Sequence, residues 1–166
     1  MTTRRDHAVV IGASIAGLMA GRVLADHYTQ VTVLERDRLP DAPTPRNGVP
    51  QSRHTHVLLV RGRQIMEDYF PGLIGELTAA GATLFDSSAD ARFLTPLGWL
   101  PRLETGLISV ACTRGLIEWH LHGRLAQRRN VRFVEEAEAI GLMREEGQPS
   151  TRAGVSGVSV RSRASG

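Results

Sequence analysis

A glycine loop set between a short apolar strand and an amphipathic helix constrains this chain more than any other feature. His7–Ile11 reads as a buried strand, with Val9, Val10 and Ile11 in a row. The loop Gly12-Ala13-Ser14-Ile15-Ala16-Gly17 follows. Ile15–Tyr28 then carries Ile15, Leu18, Met19, Val23 and Leu24 at helical spacing, and Gln30–Leu34 is a second apolar strand that runs into Glu35. Strand, tight turn, helix, strand is a βαβ unit. Its two strands must run parallel, because a helical crossover returns the chain in the same direction. The fold class expected is therefore α/β with a parallel sheet.

The loop matches Gly-x-Gly-x-x-Gly with Ser14 in the middle position, a dinucleotide fingerprint in which each place has a physical task. Gly12 turns the chain off the strand. The middle position lets the backbone approach a pyrophosphate, and Gly17 lets the helix pack against the strand. Ala13, Ser14, Ile15 and Ala16 carry the backbone between them, where free N–H groups and the helix dipole favour an anion. Serine narrows the approach, while its hydroxyl can itself donate to a phosphate oxygen. Glu35, 23 residues after Gly12, is placed to accept from ribose hydroxyls, and its charge disfavours a ribose 2′-phosphate. Arg36 follows, either blunting that charge or stacking on an adenine. The alternative is a tight βα turn that binds nothing, against which strand, loop, helix, second strand and acid all agree with the fingerprint. The fingerprint alone does not separate NAD from FAD.

Beyond it, Arg36–Arg53 holds Pro40, Pro43, Pro45 and Pro50, which forbids a helix and predicts a long extended loop. Helices are expected over His56–Phe70 and Leu73–Ala80, the second capped by Gly81. Strands are expected at Ala82–Phe85, Ala91–Leu94 and Leu107–Cys112, with a turn or edge strand at Leu97–Pro101. Thr113 is a plausible N-cap for a helix over 114–128. Strands at Val131–Val134, Glu138–Arg144 and Val155–Arg161 follow, the last two flanking a polar turn at 145–154. Residues 1–6 are expected to fray.

Several stretches resemble FAD-dependent monooxygenases of the aromatic-hydroxylase type. The loop Gly12–Leu18 with Val33-Leu34-Glu35-Arg36-Asp37 is similar to their N-terminus. Gly48-Val49-Pro50-Gln51-Ser52-Arg53-His54-Thr55-His56-Val57-Leu58-Leu59 resembles a subgroup of bacterial flavoprotein oxidoreductases, and Cys112-Thr113-Arg114-Gly115-Leu116-Ile117-Glu118-Trp119-His120-Leu121 resembles the family's Arg-x-x-Leu helix. Asn130–Val134 resembles the strand after it. The resemblance implies a Rossmann-like, glutathione-reductase-type FAD-binding domain with added antiparallel strands, and FAD as the dinucleotide. Its adenine end would lie at Glu35 and Arg36. The flavin-loop residues map most nearly to Arg53, His54, Thr55 and His56, and Arg114 matches the arginine that reaches toward the phosphate or ribityl region. In the full-length family a reduced nicotinamide, NAD(P)H, reduces the flavin, which then activates O₂ against a small organic substrate.

Family members continue into a further parallel strand, a Gly-Asp flavin motif and a substrate sheet. No Gly-Asp pair occurs in these 166 residues. The expectation is thus residues 1–166 as the N-terminal portion of the FAD-binding domain, C-terminally truncated, without the substrate domain. The missing strand would lie beside Ala8–Ile11, leaving that strand an exposed edge. The alternatives are a flavin reductase or dehydrogenase of the geranylgeranyl-reductase or halogenase-like branch, and a non-catalytic nucleotide-binding module.

The remaining candidates have bland readings. Arg114 either reaches a cofactor or pairs with Glu118 one turn on. His54 and His56 share a face on an extended strand, yet no third metal ligand stands nearby. His120 and His122 point apart on a helix. Cys112, the one cysteine, reads as a small buried hydrophobe, and Trp99 and Trp119 as core or interface. No residue stands out as acid, base or nucleophile. Net charge is +3 with every basic residue an arginine, scattered among acids, which argues against a nucleic-acid stripe. No apolar run approaches the roughly 18 residues that span a bilayer, and no secretory leader pattern is present, so a cytoplasmic protein is expected.

Overall fold

The computed structural model describes residues 5–46, 48–144 and 154–163. Within it the chain divides into two compact units, one from the 1–41 and 121–166 stretches and the other from Ala42–His120.

The first unit begins with β1 (Arg5–Ile11), α1 (Ile15–His27) and β2 (Tyr28–Leu34). Arg5 and Asp6, expected to fray, belong to β1, and β2 begins two residues earlier than its apolar run. β1 and β2 pair in parallel, Ala8 against Val31 and Ile11 against Leu34. β8 (Val131–Val134) adds in parallel on the far side of β2. The resulting order, β1-β2-β8, puts β2 in the centre. Its Val31 and Val33 are fully buried, alongside Leu18 and Ala25 of α1. Leu18, Gly21 and Ala25 are the buried face of α1, the spacing of one helical stripe. β1 has β2 as its one partner among the described residues, and Ile11 is 58% exposed. β9 (Ala137–Arg144) and β10 (Val155–Ser162) pair antiparallel. The turn expected at 145–154 lies, but for Gly154, outside the described residues.

The second unit is an antiparallel sheet of β3 (Thr55–Leu58), β7 (Ile108–Thr113) and β4 (Thr83–Asp86), with β7 central. α2 (Val60–Tyr69) and α3 (Leu73–Ala79) accompany it, and Met66, Phe70, Leu73, Leu77 and Val110 are among its buried apolar residues. The helix expected over His56–Phe70 starts late. Thr55–Leu58 instead pairs with β7, Thr55 on Thr113 and Leu58 on Val110, so sheet hydrogen bonds override helical spacing there. α3 closes in a Schellman turn: Ala82 N–H donates to the Leu77 carbonyl at 2.9 Å and Gly81 N–H to Thr78 at 3.0 Å, as Gly81 foretold. A two-residue pairing, β5 (Leu94–Thr95) on β6 (Gly98–Trp99), replaces the strand expected at Ala91–Leu94, because Pro96 and Leu97 make the turn. α4 (Arg114–Ala126) starts directly from the end of β7.

Trp99 is 64% exposed and Trp119 38% exposed, so neither is a core residue. Among the described residues no helix is long and apolar enough to cross a membrane.

Candidate functional site

In the first unit the glycine loop is built as its sequence demands. Gly12 sits at φ 94°, a left-handed conformation that favours glycine, and its N–H extends the β1–β2 ladder to the Leu34 carbonyl at 2.7 Å. A Cβ on Gly17 would lie 1.8 Å from the Gly12 carbonyl oxygen, an overlap that backbone cannot relieve. Ser14 is the N-cap of α1, with extended backbone, and its carbonyl accepts the first helical bond from Leu18 at 2.9 Å. Its hydroxyl does not close the cap, and the first turn, Ile15 and Ala16 included, contains no acidic side chain. The N–H groups of that turn have no partner within the helix.

Glu35 is buried at the end of β2 and reaches back to the loop. One carboxylate oxygen accepts the Ala13 N–H at 2.8 Å and the other accepts the Asp37 N–H at 3.1 Å. The acid named from spacing alone is therefore bonded to the loop it was paired with. The Arg36 side chain is about half exposed, with its Nε 3.9 Å from the Asp37 carboxylate.

In the second unit, Arg53 and His54 line a cavity of about 640 Å³ together with Ser52 and Thr55. Cys112, Thr113 and Leu116 also line it, as do Pro43 and Pro45 of the proline loop. Its volume is that of a small-molecule site. His56 is not among the lining residues; its Nδ1 lies 2.9 Å from the His54 carbonyl oxygen. Cys112 is half-buried, and burial pushes its thiol up, so it stays protonated.

Arg114, the first residue of α4, donates from Nε to Glu118 Oε1 at 2.8 Å, so the pairing one helical turn apart is present. Sequence reasoning missed the third member. Arg46, from the proline loop, donates Nε and Nη2 to Glu118 Oε2 at 3.2 and 3.0 Å. Seventy-two positions separate the two, and no local spacing rule reaches that far. His120 meets Glu76 at 3.3 Å, while His122 lies edge-on to Phe133. The structure thus gathers Gly12–Gly17 with Glu35 in one unit, and Arg53 with His54 at a cavity in the other.

No family model matches the chain. Protein Rv3254 of Mycobacterium tuberculosis (strain ATCC 25618 / H37Rv) is 46% identical over 136 residues, 78% of this chain and 28% of that protein. The chain therefore spans little more than a quarter of the length of that relative. PqsL of Pseudomonas aeruginosa, a probable FAD-dependent monooxygenase, superposes with a TM-score of 0.66 at 17% identity, over 95% of this chain and 38% of PqsL. The 2-methyl-3-hydroxypyridine-5-carboxylic acid oxygenase gives 0.58 at 15% identity, over 97% of this chain and 38% of its own. THI4 of Thermovibrio ammonificans gives 0.56 at 15% identity, over 96% and 48%. At such identities the likeness establishes the fold. It is the α/β fold expected from the sequence, a parallel sheet with added antiparallel strands, shared with part of larger FAD-dependent monooxygenases.

Proposed function

We propose that this chain is the FAD-binding portion of a cytoplasmic flavoprotein oxidoreductase, monooxygenase-like, with NAD(P)H as co-substrate of the whole protein and a small organic molecule as its substrate. The observation that carries the reading is the construction of the loop. The space a side chain at Gly17 would fill is taken by the Gly12 carbonyl, which lets α1 start hard against β1 and aim its first N–H groups at the loop. The loop Gly12–Gly17 would hold the pyrophosphate there, by N–H donation from the first turn of α1 backed by the helix dipole.

Glu35 has two tasks in this reading. It fixes the loop through Ala13 N–H, and a carboxylate with about four lone-pair sites retains capacity for ribose hydroxyls. Arg36, exposed and next in sequence, is the residue proposed for the adenine. Arg53, His54, His56 and Arg114 are the residues proposed for the flavin and ribityl end. FAD held by these residues would supply the redox chemistry, with reduced nicotinamide as the reductant and O₂ as the oxidant. The chain's own residues bind and orient; none is assigned as acid, base or nucleophile.

Titration with FAD tests this. The expected result is quenching of flavin fluorescence and a rise in Tm of about 5 °C or more at a hundredfold excess over Kd. Gly17→Ala should abolish both. Unchanged fluorescence and an unchanged Tm with FAD would overturn the reading.

A further inference from the structure

Glu118 lies in the second turn of α4 with its side chain 8% exposed, and it serves two arginines at once. Arg46 forks onto one carboxylate oxygen and Arg114 onto the other. Helix stability does not account for the arrangement. A cation at the first position of a helix opposes the dipole, and Arg preceding Glu is the weaker order for a pair one turn apart.

The Arg46 contact instead ties a distant loop to the helix. The backbone of residues 43–44 approaches α4 so closely that a Cβ on Gly115 would stand 3.0 Å from the Thr44 carbonyl oxygen. The Arg46 carbonyl in turn accepts from Val49 N–H at 3.1 Å and from the Ser52 hydroxyl at 3.4 Å. Ser52, with Pro43 and Pro45 from the same loop, lines the cavity. A chain of contacts therefore runs from Glu118 through Arg46 to the cavity wall.

We propose that Glu118 is a positioning residue whose carboxylate, through Arg46, clamps the proline loop onto α4 and holds the wall of the cavity in place. Removing the charge leaves two guanidinium groups facing each other, so the loop is released. The proposal rests on the flavin reading only where FAD affinity is measured.

Cys112, the one thiol of the chain, lines the same cavity and reports the state of its wall. Its reaction with a thiol-specific reagent is followed in the parent, Glu118→Gln and Arg46→Met, with Leu77→Ala as a core control, across low urea concentrations. In both clamp variants the thiol should react about tenfold faster, at a rate insensitive to urea, as local opening requires. In Leu77→Ala any acceleration should follow urea as global unfolding does. Parent-like rates in the clamp variants, or acceleration with the urea dependence of the control, would overturn the proposal. Should Glu118→Gln fail to fold, Arg46→Met decides, since it leaves Glu118 and Arg114 as a one-to-one pair. FAD affinity is measured in parallel. A parent that ignores FAD sinks the flavin reading and leaves the thiol result to stand alone. If the parent binds FAD, weaker binding in both clamp variants is expected.

Discussion

Asp86 shows how one buried carboxylate organises a loop. It accepts the Thr105 hydroxyl at 2.8 Å and the N–H groups of Ser88, Thr105 and Gly106 at 2.9, 2.7 and 2.8 Å. Burial by itself would raise its pKa; the hydrogen bonds from Thr105, Ser88 and Gly106 outweigh that and hold it at about 2, below the ordinary 3.8. The folded value is the depressed one. The stabilisation is therefore complete above 3.8 and is lost as pH falls from there through about 2. Asp86→Asn should lower the urea midpoint at neutral pH, with the deficit shrinking across that acid window. A deficit independent of pH would refute the assignment. The bond to Ser88 is the Asx turn that Asp86-Ser87-Ser88 spells locally, whereas the bonds to Thr105 join positions 19 apart and could not be read. Glu35 divides the same way. Its spacing from Gly12 marked it, and only the fold brought its carboxylate onto the Ala13 N–H.

At the scale of elements, α4 follows β7 with no connecting loop. Thr113 ends the strand, and its hydroxyl accepts the Leu116 N–H at 3.2 Å, capping the helix as its residue type predicts. Thr113→Ala should cost about 1 kcal/mol, measured by the shift in urea midpoint, with the slope of the transition unchanged. Most elements were legible because their signals are local: apolar spacing, a capping residue, a proline or glycine that stops a run. β3 was not. Thr55–Leu58 continues an acceptable helical pattern and becomes a strand because β7 offers it backbone partners some fifty residues downstream. The paired half-turns β5 and β6 were misplaced for a related reason, since two residues of pairing leave little periodicity to detect.

At the scale of the whole molecule, large apolar side chains stand exposed in both units. In the second unit Leu97 is fully exposed, and Leu94, Trp99 and Leu103 are each more than 60% exposed. In the first, Ile11, Leu142 and Val155 are similarly open. Scattered exposed leucines are normal, but several bulky apolar side chains within residues 93–107 form a concentration of the kind that binds hydrophobic probes. The folded chain should therefore enhance the fluorescence of 8-anilinonaphthalene-1-sulfonate in native buffer. Leu97→Lys with Trp99→Lys should reduce the signal while changing stability by no more than about 0.5 kcal/mol. Equal fluorescence in the variant would show that the dye reads a different surface.

The sequence by itself determined the βαβ opening, the glycine loop and the acid paired with it. Each depends on steric and spacing rules that act within a few turns of chain. A methyl group on Gly17 would overlap the Gly12 carbonyl oxygen, a clash set within the turn itself. Tertiary structure decided that Glu35 is buried against the loop, that Thr55–Leu58 is a strand, and that Arg46 shares Glu118 with Arg114. Those outcomes rest on hydrogen-bonding groups that meet only after distant segments pack. A buried charge settles on whichever opposite charge the fold delivers to it, and sequence separation carries no record of that.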